Sequence, residues 1–495
     1  MSLLKVWQAN SCREISFSPP ALLSKLLQQN GLDASHPCGG RGHCGKCTVY
    51  AAGSLSSPSA AETRIGSRLS CQTVLLGDAE VRLPEELGAI ETSGCAPAVG
   101  SPMAGSYGAA VDIGTTTIAL KLYALASGTV LAEVGMMNPQ RSISADVIGR
   151  IGAAMEGSLP LLQSLVTDAI QSLLVRSASL ARISLEEIGA LVVTGNTTML
   201  YLLTGRDPSC LSAAPFRADC LFGQYETLLG IPVYYPACMS AFVGADITCA
   251  VLDSGMTLKQ ETSLLCDIGT NGEIALWTGG KLYVTSTAAG PAFEGAGISC
   301  GCSSIPGAID RVKAEGGKLS VHTIGNRPAI GLCGSGLVDA VAAFLALGDI
   351  DETGAVEKDS LPLSDAVSLL PADIRAVQLA KGAIAAGIRT LTEMAKIPLE
   401  DIQTLYIAGG FGSHLDPASA AAIGLIPEDL ESRVCVLGNA ALSGAARLLL
   451  DQNRICFAEE LAEKSEHITL SGNSRFNYHF MNAMLFGSEE LTDEF

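Results

Sequence analysis

The sequence predicts a multidomain chain of mixed class: a small α+β unit at the N-terminus, then a large α/β unit built of two lobes. Three observations carry this. The chain has 495 residues, 48% of them hydrophobic and only 16% charged, too long for one core and too apolar for disorder. A loop holding Cys38, Cys44 and Cys47 among glycines lies within a short run of strand and helix signals. An Asp-Ile-Gly-Thr turn between two apolar runs occurs twice, at Asp112 and Asp267. These aspartates stand 155 residues apart, about one domain length, as expected for two related lobes.

In the N-terminal unit, "KVWQANS" and "REISFSP" each alternate apolar and polar residues across a short turn and read as a hairpin. Leu22, Leu23, Leu26 and Leu27 share one helical face, with Pro20 near its start and Gly31 as its stop. The cysteine loop follows, then the strand "CTVYAAG" and the stretch "SRLSCQTVLLGDAEVRLP". Over residues 1–88 this amounts to a β-grasp pattern.

The cysteine spacing is Cys38-x5-Cys44-x2-Cys47, with Cys71 after a further 23 residues. Four thiolates so presented can hold a [2Fe–2S] cluster, two on each iron. The glycines at 39, 40, 42 and 45 let the backbone wrap closely around sulfide. Zinc also accepts four cysteines, but its structural sites usually pair two C-x2-C knuckles, and one is present here. A disulfide suits an oxidising compartment, and the N-terminus "MSLLKVWQANSCREISFS" lacks the apolar core of a secretory signal. The stretch resembles the ferredoxin fold in its adrenodoxin-like branch. The other twelve of the sixteen cysteines are scattered, Cys300 and Cys302 being the one further close pair, and read as packing residues.

A net charge of −19 argues against a nucleic-acid partner, which needs basic stripes. No run reaches the roughly 18 apolar residues of a membrane span. The expected compartment is the cytoplasm, with no membrane partner.

Residues 89–107, rich in Gly, Ser, Ala and Pro, read as a flexible linker. The ATPase-sized unit then spans 108–495, with lobes of about 108–260 and 261–495. Its first motif runs Asp112, Gly114, Thr115, Thr116, Thr117, and its second Asp267, Gly269, Thr270, Asn271, Gly272, Glu273. Glycine lets backbone N–H groups approach phosphate, hydroxyls add donors, and an aspartate holds Mg²⁺ or its waters. No Walker-type G-x4-G-K-[ST] is present. Further strand–glycine elements follow at Gly334-Ser335-Gly336, which opens a helix, at Gly409, Gly410, Phe411 and Gly412, and at Gly438 to Gly444.

In this order the elements resemble the acetate and sugar kinase, heat-shock chaperone and actin superfamily of ATPases. The resemblance implies an actin-like, RNase H-like fold, with phosphate motifs at Asp112–Thr117 and Asp267–Glu273 and an adenosine motif at Ile407–Gly412. With "NPQRSISADVIGRI", "VVTGNTTMLYLLTGRDP", "PACMSAFVGADITCA", "GPAFEGAGISCG" and "DIRAVQLAKGAIAAGI", nearly the whole chain is similar to the ATP-dependent reductive activators of corrinoid proteins. Better-known members carry a middle domain, whereas here the linker leads straight to Asp112.

That family implies a [2Fe–2S] cluster, ATP and Mg²⁺ as cofactors. It implies a corrinoid methyl-transfer protein and a low-potential donor (ferredoxin, flavodoxin or a reductase) as partners, and a homodimer. Asp112 and Asp267 would organise Mg²⁺. Asp246 and Glu294 would orient the attacking water, or else serve as a helix cap and a solvated turn. Asn196 would touch phosphate or partner, and Arg141 and Asp146 read as a structural ion pair or surface residues. Two other function classes remain on the sequence alone. One is an activator of another low-potential metalloenzyme, such as a dehydratase or reductase; the other is a redox-sensing ATPase.

Overall fold

The computed structural model describes residues 1–8, 11–30, 32, 47–65, 67–83, 97–410 and 414–486. Its N-terminal unit is one mixed sheet. Ser2–Gln8 pairs antiparallel with Ser11–Phe17, as the alternation predicts, and parallel with Val74–Arg82. Val74–Arg82 continues the sheet through Thr48–Leu55 to Arg68–Leu69. The helix Leu23–Gln29 buries Leu23, Leu26 and Leu27 on Leu4, Val6, Ile15, Val49, Leu75 and Val81. Leu22 is excluded from that face because it pairs with Val74 in a short strand.

The two later sheets share one plan. In the first, Tyr107–Ile113, Thr117–Ala124 and Thr129–Met137 form an antiparallel meander. Ile188–Gly195 adds parallel to Tyr107–Ile113, and Ile231–Tyr235 parallel to Ile188–Gly195. In the second, Thr262–Ile268, Gly272–Thr278 and Leu282–Thr287 form the meander. There Thr404–Ala408 and then Val434–Gly438 add in parallel. Each Asp-Ile-Gly-Thr turn joins the first two strands of its meander, so the sequence repeat is a repeat of whole lobes.

Both central strands are buried on both faces, which explains their unbroken apolar sequences. Ala109, Val111 and Ile113 face one core, with the helix Leu159–Ala181 upon it, while Ala110 faces another. The second core belongs to both lobes. Helix Ala440–Leu450 follows the last parallel strand of the second sheet, yet packs Leu442, Ala445, Leu448 and Leu449 on Ala110, Ala190 and Val192 of the first. Helix Ala245–Ser254, its counterpart, places Ile247, Ala250 and Val251 with Leu265, Ala275 and Tyr406 of the second. The two helices touch so closely that a Cβ on Gly444 would lie 1.9 Å from the Cys249 carbonyl oxygen.

One expectation changes. Residues 97–106 are tied down: Gly100 and Met103 donate backbone N–H groups to the Leu450 and Leu449 carbonyls at 3.0 and 2.9 Å. The side chain of Met103 is buried in the shared core. Composition matched a tether, but free carbonyls at the end of Ala440–Leu450 give this stretch partners. The helical stretch Val147–Ala181, kinked at Gly157 where φ is +96°, is long and apolar enough by composition to cross a membrane, but Leu162, Val166, Ile170 and Leu173 bury it in the first lobe's core.

Candidate functional site

In the N-terminal unit Cys47 and Cys71 are buried cysteines whose Sγ atoms lie 3.2 Å apart. The Ser70 N–H donates to the Cys47 carbonyl at 2.8 Å and fixes the two strands that present them. Facing thiols at this separation fit a pair of ligands on one iron, each sulfur deprotonated by the metal. Cys38 and Cys44 lie outside the described residues.

The larger site forms where the two turns meet. Glu294, at the end of the short turn Ala292–Glu294, is half-buried. Its Oε2 accepts from Thr116 Oγ1 at 2.6 Å and from Thr270 Oγ1 at 3.1 Å. Gly295 behind it has φ +74°, and a Cβ there would meet the Cys302 carbonyl oxygen at 2.7 Å, so glycine is required. Gly409, with φ +94°, closes on the second turn: a Cβ would lie 2.6 Å from Asp267 Oδ1. The third motif thus abuts the second, while Phe411 and Gly412 lie outside the described residues. Gly410 follows as an exposed turn residue.

Asp112 and Asp267 end the first strands of their meanders, and Asp246 lies in the first turn of Ala245–Ser254. Burial raises the Asp112 pKa to about 6, opposed by a hydrogen bond from Asn439 Nδ2 at 3.0 Å. Burial, then the charges of Asp112 and Glu294, raise Asp267 to about 7. Burial, then Asp267 and Asp112, raise Asp246 to about 8. Glu273 is buried and also raised, by burial and then by Asp246 and Asp267. Predicted carboxylates from both lobes therefore form one electrostatic cluster whose mutual repulsion favours a bound cation. Among the described residues no three His, Cys, Asp or Glu side chains converge to hold a metal unaided.

Asn196 caps Thr197–Thr204, accepting from the Met199 N–H at 3.0 Å, and donates to Thr115 Oγ1 at 3.2 Å. It thus reaches the first turn. Gly334, Ser335 and Gly336 open the helix Gly334–Leu347, but their contacts run elsewhere. Ser335 Oγ donates to the Asp310 carbonyl at 3.2 Å, and a Cβ on Gly336 would lie 2.2 Å from the Ile309 carbonyl oxygen. Asp146 caps Val147–Ala153 by accepting from the Gly149 N–H at 2.7 Å. Arg141 makes no ion pair with it, and Arg141 Nη1 is buried without a hydrogen-bond partner. Sequence reasoning missed Asn439, Asn138 and Arg150. An Asn after a strand and before an apolar helix was the available signal for the first.

A ferredoxin-type unit joined to a two-lobed actin-like ATPase fold is the class these features define. Residues 9–76 match the family model of the 2Fe-2S iron-sulfur cluster binding domain. Residues 107–259 match that of the RACo middle region, and 261–494 that of the C-terminal domain of RACo, the ASKHA domain. The middle region expected to be missing is therefore matched by the first lobe. The chain is 34% identical to the corrinoid activation enzyme RamQ of Eubacterium limosum, over 78% of this chain and 71% of that protein. It is 26% identical to the Co(II) methylated amine-specific corrinoid protein reductase of Methanosarcina barkeri, over 78% of each. Among solved structures, a reductive activator for corrinoid, iron-sulfur protein superposes with a TM-score of 0.71 at 27% identity, covering 98% of both chains. The chain belongs to the family of corrinoid-protein reductive activators.

Proposed function

We propose that the chain catalyses the ATP-dependent, one-electron reduction of a cobalt(II) corrinoid, held by a methyl-transfer protein, to cobalt(I). The observation that carries this reading is a single chain that presents the paired sulfurs of Cys47 and Cys71 and a Glu294 carboxylate bridging two Asp-Ile-Gly-Thr turns. A [2Fe–2S] centre on Cys38, Cys44, Cys47 and Cys71 supplies a one-electron carrier when bound. Such centres work near roughly −400 mV, and each further 59 mV or so costs a factor of ten in a one-electron equilibrium. A more negative acceptor is therefore reduced only in trace unless nucleotide turnover changes its complex or drives release.

Between the two turns, Asp112 and Asp267 would hold the Mg²⁺ that accompanies the nucleotide. Backbone and hydroxyl donors of Gly114–Thr117 and Gly269–Glu273 meet phosphate, and Gly409–Gly412 receive the adenosine. Asp246 or Glu294 orients the attacking water, while Gly334–Gly336 support the nucleotide from the second lobe. A low-potential ferredoxin, flavodoxin or reductase supplies the electron, and the working form is a cytoplasmic homodimer.

The test mixes anaerobic, iron–sulfur-reconstituted protein with a corrinoid methyl-carrier, a low-potential donor and ATP, and follows cobalt(I) absorbance. Cobalt(I) should accumulate only with ATP and stop on its exhaustion. Equal accumulation without ATP, or none with it, refutes the proposal.

A further inference from the structure

The segment 138–150, between Thr129–Met137 and Val147–Ala153, lies behind the first turn and grips it along its length. The Asn138 N–H donates to the Thr116 carbonyl at 2.8 Å, and Asn138 Nδ2 donates to the Gly114 carbonyl at 2.9 Å. Arg150 Nη2 donates to the Thr115 carbonyl at 2.6 Å. Three consecutive carbonyls of the turn are therefore held on one side. Because a trans peptide points its N–H opposite to its C=O, the same bonds direct the N–H groups of Thr115 and Thr116 the other way.

Arg150 is fully buried. Its Nε donates to the Ser144 carbonyl at 3.0 Å, and Nη1 to Gln140 Oε1 at 3.2 Å and towards Met199 Sδ at 3.1 Å. Gln140, also buried, is anchored by its own Nε2 on the Leu162 carbonyl at 2.9 Å. All these acceptors are neutral, and Arg150 forms no ion pair among the described residues. Burial, then the charge of Arg141, lowers its pKa to about 9, with Asp146 and Glu294 acting the other way. A buried guanidinium without a counter-ion is costly to keep. Here it adds positive charge beneath a turn that faces an acidic cleft, where a phosphate group needs it.

We propose that Arg150, with Asn138, is the positioning residue that sets the first turn for phosphate, holding its carbonyls back and adding the positive charge that the motif itself lacks. This rests on the nucleotide reading of the cleft. The test compares wild type with Arg150→Met and Arg150→Lys, titrating each with Mg-ATP and with adenosine, which lacks phosphate, and recording Tm. Arg150→Met should weaken Mg-ATP at least tenfold while adenosine binding stays within twofold, and Arg150→Lys should recover part of the loss. An equal loss for both ligands in the two variants, or no loss for either, overturns the proposal while leaving nucleotide binding standing. If wild type binds adenosine and Mg-ATP equally, the turn is not a phosphate site and both readings fall. Should Arg150→Met not fold, the Mg-ATP to adenosine ratio of Arg150→Lys decides: an unchanged ratio overturns the proposal.

Discussion

The carboxylate of Glu294 accepts a hydrogen bond from Thr116 in the first lobe and another from Thr270 in the second, at 2.6 and 3.1 Å. One side chain thus ties the two turns together, where the proposed reading places the terminal phosphate. Exchange of Thr116 and Thr270 for water would free Glu294 to act as a base. Glu294→Gln should lower ATP turnover by about a hundredfold or more, the usual weight of a positioned acid–base group, with Mg-ATP affinity unchanged or tighter. Asp246→Asn is the control, and a larger loss of turnover there than in Glu294→Gln would transfer the role to Asp246.

Raised carboxylate pKa values fix the sign of the pH dependence. Asp112, Asp267 and Asp246 titrate near 6, 7 and 8 in the fold, against about 4 in an unfolded chain. Between roughly pH 4 and 8 the folded state therefore binds more protons, and stability falls as pH rises. The Tm of the nucleotide-free protein should decrease from about pH 5.5 to about pH 8.5, and saturating Mg-ADP should flatten the slope. A rising Tm across that range in the Mg-free protein would contradict the cluster.

The shared helix pair makes a stability prediction. Because a Cβ at Gly444 would sit 1.9 Å from the Cys249 carbonyl oxygen, Gly444→Ala must part Ala440–Leu450 from Ala245–Ser254. The expected cost is about 2–4 kcal/mol, the upper range for overpacking, read by chemical denaturation. Gly152 has nothing within 4 Å of its Cβ position, so Gly152→Ala should be neutral or stabilise by up to about 1 kcal/mol.

How much of this was legible depended on range along the chain. The Asp-Ile-Gly-Thr turns could be read because strand, turn and strand are contiguous, so apolar runs and a glycine suffice. Asn439's place before an apolar helix marks it as a cap, but its contact with Asp112 could not be read, since it reaches across 327 residues. In the sequence Arg141 and Asp146 stand nearer the Asn-Pro-Gln segment, and nothing local singles out Arg150 from other charges. Its contacts with the Ser144 and Thr115 carbonyls, Gln140 and Met199 distinguish Arg150 from an exposed residue. Gly438 to Gly444 reads as a strand–glycine element, which locally implies a helix packed on the sheet it follows. Nothing local says that the adjoining sheet is the other lobe's.

Asn439 also carries a prediction, because its side chain does two things at once. Its Oδ1 accepts from the Leu442 N–H at 2.8 Å, capping Ala440–Leu450, while its Nδ2 steadies Asp112. Asn439→Asp keeps the cap but sets a second carboxylate against Asp112, whereas Asn439→Ser keeps the cap alone. Asn439→Asp should therefore lose Mg-nucleotide affinity above about pH 6 and regain it at lower pH, with Asn439→Ser showing a smaller, flatter loss. Identical pH profiles for the two would mean that Asn439 serves only the helix.

The thiol pair separates the two halves of the machine. Cys47 and Cys71 sit in a small cluster with Leu69 and Ala61, distinct from the cores of the lobes. Under the proposed reading, removing one sulfur changes the cluster's ligand set while leaving those lobes untouched. Cys71→Ser should abolish the visible absorbance and the reduced-state paramagnetic signal of the reconstituted protein, or shift both as oxygen replaces sulfur. Corrinoid reduction should be lost, while Mg-ATP affinity stays within about twofold and Tm of the lobes is unchanged, as for mutations at distant, independent sites. Chelation of iron from wild type should reproduce that pattern without a mutation. A collapse of Mg-ATP binding on either treatment would show that the N-terminal unit holds the cleft together, and the two sites would then have to be treated as one.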